Sequence, residues 1–219
     1  MWIKILEAAG SHGIVKHWHV NRTIAPDKWH IAFDSHSKKI VPMLMANPGN
    51  VRAVFCIRDP RDIVVSRAYY HMTSTESWLH APREEFDGLT YQQKICSLPD
   101  MQSRFQFEMR FAARRTIRKI LKIPRSSPDV VVTKLETLIM DFELEEFSRL
   151  FDFLAFDDEQ RAVLLEAAAD VSIFSRKLNP PAHVRSGKPA QYLSEFSTET
   201  LAMFNAINPG VPEALGYPP

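Results

Sequence analysis

The chemistry in this chain concentrates at Arg58, where an apolar run ends and a helix begins. The surrounding stretch, 54–72, reads VFCIRDPRDIVVSRAYYHM. Asp59 and Pro60 form a helix start, with a carboxylate at the N-cap and proline at the first helical position. Asp62 follows Asp59 at the three-residue spacing of a capping box. A strand that delivers an arginine to the mouth of a helix suits a phosphate. The guanidinium forks onto the oxygens, and the helix N-terminus adds N–H groups and a favourable dipole. The implied ligand is a nucleotide-type anion.

Other residues with chemical potential are weaker. His12, His17 and His19 lie close together, but neither carboxylates nor cysteines accompany them at metal-ligand spacing. Gly10-Ser11-His12-Gly13 has neither the length nor the lysine of a phosphate loop. The basic run Arg110, Arg114, Arg115, Arg118, Lys119 and Lys122 reads as a solvated helix face, with an anionic acceptor or acidic partner as the alternative.

These residues need a scaffold, and the chain is long enough to build one. Its 219 residues suit a single domain with a substantial core. Lysine and arginine number 27 against 26 aspartates and glutamates, so no global field directs the chain to nucleic acid or a membrane. No run reaches transmembrane length and no leader pattern is visible, which makes a reducing cytoplasmic setting the expectation. The only cysteines are Cys56 and Cys96. Cys56 sits in an apolar run and is expected as a buried thiol, which argues against a disulfide framework.

The pattern predicts a helix over 1–9 stopped by Gly10 and Gly13, with no strand before it. A short strand follows at 29–33 and a helix at 38–45. Asn47-Pro48-Gly49-Asn50 marks a turn. The clearest strand is 51–57, apolar enough for a buried parallel sheet. A helix covers 61–72, and loops and short helices occupy 73–99. One basic amphipathic helix is expected at 104–122, with Met109, Ala113, Ile117, Ile120 and Leu121 on its apolar side. A strand at 130–133, helices at 144–156 and 158–169, a loop at 179–188 and a helix at 197–207 complete the chain. Strands alternating with helices indicate an α/β fold with a mostly parallel sheet.

Residues 58–66, RDPRDIVVS, resemble the 3′-phosphate-binding segment of sulfotransferases that use 3′-phosphoadenosine 5′-phosphosulfate (PAPS). The resemblance places Arg58 and Ser66 on the 3′-phosphate. It extends to His183-Val184-Arg185-Ser186-Gly187-Lys188, similar to the family's Arg-Lys-Gly loop on the same phosphate. Arg185 and Gly187 match, whereas Ser186 replaces the middle lysine. Tyr192 stands where the family often has tryptophan, and Phe174 matches an aromatic that stacks on adenine, with a core aromatic below Val171 as the alternative; Ser172 is open between a site and a core position in the same way. The family's adenine-side tyrosine corresponds to Leu135, followed by Glu136. His36 occupies the position of the catalytic base, with Asp34 where many members carry lysine; His30 is the alternative. Histidine suits that role because it titrates near neutrality. Tyr69, Tyr70 and His71 line an acceptor pocket on one reading and the core on another.

The resemblance therefore implies a P-loop-NTPase-like three-layer α/β fold. It implies sulfonyl transfer from PAPS to a hydroxyl or amine of a small molecule or glycan, with no metal. The family's 5′-phosphosulfate loop is the departure. Met1-Trp2-Ile3-Lys4 resembles the continuation of that loop, so the strand and loop themselves are expected to be missing. Their loss would leave unpaired strand edges and, were Met1 the true start, little activity. A non-catalytic relative that keeps only the 3′-phosphate half-site or acts as an interaction module is the alternative. A nucleotide kinase-like protein fits less well, because neither a lysine-bearing phosphate loop nor magnesium carboxylates are evident. The acceptor and the oligomeric state are not specified by the sequence.

Overall fold

The computed structural model describes residues 2–12, 14, 18–20, 31–33, 40–171 and 188–219. The chain order is α1 (Trp2–Ser11), β1 (Trp18–Val20), β2 (Ile31–Phe33), α2 (Ile40–Ala46), β3 (Ala53–Ile57), α3 (Pro60–Thr73), α4 (Tyr91–Cys96), α5 (Met101–Arg110), α6 (Ala112–Ile120), β4 (Val130–Lys134), α7 (Leu135–Ile139), α8 (Glu145–Phe153), α9 (Asp158–Val171), α10 (Tyr192–Glu195), α11 (Thr198–Ile207) and α12 (Val211–Ala214). Short 3-10 turns at Ser77–Leu79 and Glu84–Phe86 lie between α3 and α4.

Two compact units divide the chain. The first comprises 1–57 and 122–187 and holds all four strands. β3 and β4 pair in parallel, from Ala53 opposite Val130 to Ile57 opposite Lys134. β1 and β2 pair in parallel too, as a separate ladder. Among the described residues no ladder joins the two pairs. The predicted turn at Asn47 forms: Asn50 N donates to Asn47 O, and Gly49 takes a positive φ of 77° that glycine tolerates. Gly49 N also donates to Asp129 Oδ2 at 2.8 Å, tying this turn to the start of β4.

The core of this unit lies between helices and sheet. Ile5 and Ala9 of α1 pack with Phe147, Leu150 and Phe151 of α8 and Leu164 of α9. Val54 and Val131 contribute from the sheet. Trp2 rests on Phe147 and Phe151, with ring centroids 5.8 and 6.5 Å away.

Cys56 corrects an expectation. Phe55 and Ile57 are buried, but Cys56 is exposed, because successive side chains in a strand point to opposite faces. Displacement of surrounding water, and then the Glu136 charge, push the thiol up to about 12, against a hydrogen bond from Trp2.

The second unit comprises 58–121 and 188–219 and is helical. Its core gathers Val64, Val65 and Ala68 of α3 around Tyr91, Phe105 and Phe204. The predicted helix over 104–122 is two helices. α5 ends at Arg110 and α6 begins at Ala112, because Phe111 leaves helical geometry at φ −111°, ψ −96°. Its ring packs against Phe107 at 4.6 Å and Phe86 at 5.2 Å, and this aromatic packing accompanies the break. Of the apolar side expected there, Met109, Ala113 and Ile117 are buried and Leu121 is exposed.

Candidate anion site at the start of helix α3

Arg58 follows β3 directly and precedes the N-cap of α3. Asp59 is that N-cap: its Oδ1 accepts from Arg61 N at 2.9 Å, and Pro60 fills the first helical position. The helix mouth is thus capped by the protein's own carboxylate. This alters the sequence-based picture, because one of the first N–H groups is already occupied.

The first turn of α3 is buried although it carries three charges. Burial of ions is costly unless each is paired, and the pairs are present. Arg61 is almost fully buried and grips Asp59 with Nε at 3.0 Å and Nη2 at 2.8 Å. Its Nη2 also donates to Pro218 O at 2.8 Å. The Arg61 guanidinium stacks on the Tyr192 ring, 4.0 Å from the centroid. Burial acts to lower the Arg61 pKa, but the Asp59 hydrogen bonds and charge outweigh it, so the guanidinium is held above its ordinary value.

Asp62 is fully buried, and its two carboxylate oxygens face different groups. Oδ1 accepts from Tyr192 N at 3.0 Å, and Oδ2 lies 3.5 Å from Arg58 Nη2. The Arg58 side chain retains 20% of its surface to solvent. Ser66 stands one turn after Asp62 on the same helix face and is half-buried. Among the described residues its hydroxyl has no hydrogen-bond partner, so the expected alternative of a bond back to a carbonyl does not occur. A cation with an open edge and a free hydroxyl are suited to an anion.

A second polar cluster lies deeper in the same unit. Glu108, fully buried, accepts from Tyr91 Oη at 2.7 Å and from Arg67 Nε at 3.3 Å, and meets His71 Nδ1 at 2.9 Å. Arg67 Nη1 donates to Thr116 Oγ1 at 3.0 Å, and Nη2 lies 3.4 Å from His71 Nε2. Burial, followed by the Glu108 charge, raises the Tyr91 pKa above the usual phenol value. The cluster fastens α3, α4, α5 and α6 together. His71 therefore belongs to the core, Tyr69 packs against that core, and Tyr70 is exposed.

His36, His30, Asp34, Ser172, Phe174, Arg185, Ser186 and Gly187 lie outside the described residues, as do His17 and the side chain of His19. Of the residues expected at the phosphate, the structure describes Arg58 and Ser66. Sequence reasoning missed the tertiary use of Asp62, which it read as half of a capping box. The signal available was a carboxylate placed four residues from both Arg58 and Ser66. Leu135, at the position of the adenine-side tyrosine, is half-buried at the start of α7. Among the described residues no group of histidine, cysteine and carboxylate side chains is placed to hold a metal. No described helix is long and apolar enough to cross a membrane.

No family model matches the chain, and no curated protein matches it. Among solved structures, the chain is similar to retinol dehydratase in complex with androsterone and the inactive cofactor PAP. The two are 18% identical with a TM-score of 0.51, over 87% of this chain and 55% of that one. The chain thus spans about half the length of the structure it matches. The likeness establishes the fold, an α/β fold of the P-loop-like type.

Proposed function

We propose that this chain carries the donor-anchoring part of a PAPS-dependent sulfotransferase, organised as one sulfotransferase-like domain. The observation that carries the reading is that Arg58, just before α3, keeps an open edge while Ser66 of α3 keeps a hydroxyl with no hydrogen-bond partner among the described residues. A guanidinium at the mouth of a helix and a hydroxyl on that helix match the 3′-phosphate of an adenosine bisphosphate. The similar solved structure contains PAP, which agrees with a nucleotide of this kind.

In this reading Arg58, Ser66, Arg185, Ser186 and Gly187 hold the 3′-phosphate, and Phe174 stacks on the adenine. PAPS supplies an activated sulfonyl group. His36 accepts the proton of the acceptor hydroxyl or amine as the new bond to sulfur forms. The old bond from sulfur to the phosphate oxygen breaks, and its electron pair leaves on PAP. Anchoring the 3′ end fixes the line of attack, and such orientation supplies much of the acceleration. The acceptor is a small molecule or glycan, and the setting is cytoplasmic.

Calorimetric titration with PAP tests the proposal. Charged hydrogen bonds contribute about 1.5–3 kcal/mol each. Arg58→Ala is therefore expected to weaken PAP binding roughly tenfold or more, and Ser66→Ala by a smaller factor. Binding unaffected by Arg58→Ala would overturn the site. The alternative is a half-site that binds the nucleotide without turnover. PAP binding retained with no transfer from PAPS to simple phenols or amines would select that alternative.

A further inference from the structure

We infer that Asp62 is a positioning residue of this anion site: its buried charge holds the Arg58 guanidinium in the orientation that receives the 3′-phosphate. The inference rests on the functional reading above and adds a residue to it.

Asp62 has no exposed side-chain surface, and a buried carboxylate is costly. One of its known bonds does not require a charge. Tyr192 N donates to Oδ1 at 3.0 Å, a bond that a neutral asparagine oxygen would accept equally well. The Tyr192 segment does not depend on that bond alone, because its ring already stacks on Arg61 at 4.0 Å. A negative charge serves the cations beside it: Arg58, whose Nη2 lies 3.5 Å from Oδ2, and the buried Arg61, which also feels the Asp62 charge.

The two arginines of this turn differ in a way that matters. Arg61 is consumed: Nε and Nη2 both grip Asp59, and Nη2 also serves Pro218 O. Arg58 makes one long, single-pronged contact and keeps solvent access. A contact of that kind restrains the guanidinium without filling its fork, which leaves donors for a second anion. Asp62 also stands between Arg58 and Ser66 in sequence, four residues from each.

Charge alone makes the opposite prediction. A carboxylate beside a phosphate repels it, so its removal would tighten binding if proximity were the whole effect. The test compares Asp62→Asn with the wild-type chain by calorimetry, using PAP and adenosine 5′-phosphate, which lacks the 3′-phosphate. The asparagine keeps an acceptor for Tyr192 N but turns a donor toward Arg58. PAP affinity is expected to fall about tenfold while adenosine 5′-phosphate affinity stays within twofold. Equal or tighter PAP binding would overturn the inference, and so would an equal loss for both nucleotides, the mark of a merely structural role. Should Asp62→Asn not fold, Asp62→Glu carries the same expectation, because it keeps the charge and displaces it by one methylene. An intact Arg58→Ala defect with normal Asp62 variants would sink this inference alone. Absence of an Arg58→Ala defect would sink the functional reading and this inference with it.

Discussion

At the scale of the residue, charges in this chain are used by pairing rather than by exposure. Arg61 and Asp59 neutralise each other inside the first turn of α3, and Glu108 gathers three donors in the core. The same logic appears in the strand-bearing unit at Glu146. Its carboxylate accepts from Arg149 at 2.7 and 2.8 Å and from Thr133 Oγ1 at 2.6 Å. The Arg149 hydrogen bonds, opposed by burial and assisted by Thr133, hold its pKa below the ordinary carboxylate value. A depressed folded pKa contributes stability above the unfolded value of about 4.3 and loses it as pH falls through the folded value. Urea midpoints are therefore expected to favour the wild-type chain over Glu146→Gln at pH 7, with the gap closing as pH falls below about 4.3. A gap independent of pH would refute this assignment.

At the scale of the element, helix starts follow local chemistry closely. Asp59, Thr90, Asp100 and Ser197 each cap a helix by accepting a backbone N–H one turn in. Thr90 and Gln93 complete a reciprocal capping box. Ser197→Ala removes the acceptor for Thr200 N and is expected to cost about 1 kcal/mol. Chemical denaturation that shows no loss would mean that packing around α11 replaces the cap. Helix continuity is decided otherwise. No glycine or proline separates Arg110 from Ala112, so nothing local announced the break at Phe111. Its contact with Phe86 comes from a segment 25 residues earlier, and local propensity does not register such contacts. Gly10 shows the converse, since α1 continues through it to Ser11.

At the scale of the whole molecule, each unit buries its own hydrophobic cluster. Phe147 and Phe105 are fully buried in the respective clusters. Replacing either by alanine is expected to cost about 3–5 kcal/mol. Denaturant unfolding checks each variant separately, and a loss below about 1 kcal/mol would mean that the site is not core.

The sequence by itself determined the α/β class, the parallel strands β3 and β4, and the start of α3 with Asp59 as its cap. These follow from short-range rules: side-chain period, and proline and carboxylate at a helix start. Only the tertiary structure decided that Arg61 reaches Pro218, that Asp62 answers to Tyr192, 130 residues away, and that His71 joins the core. The physical reason is common to all three. A charged or polar group that is buried must find a partner, and that partner comes from whichever distant segment the fold brings alongside.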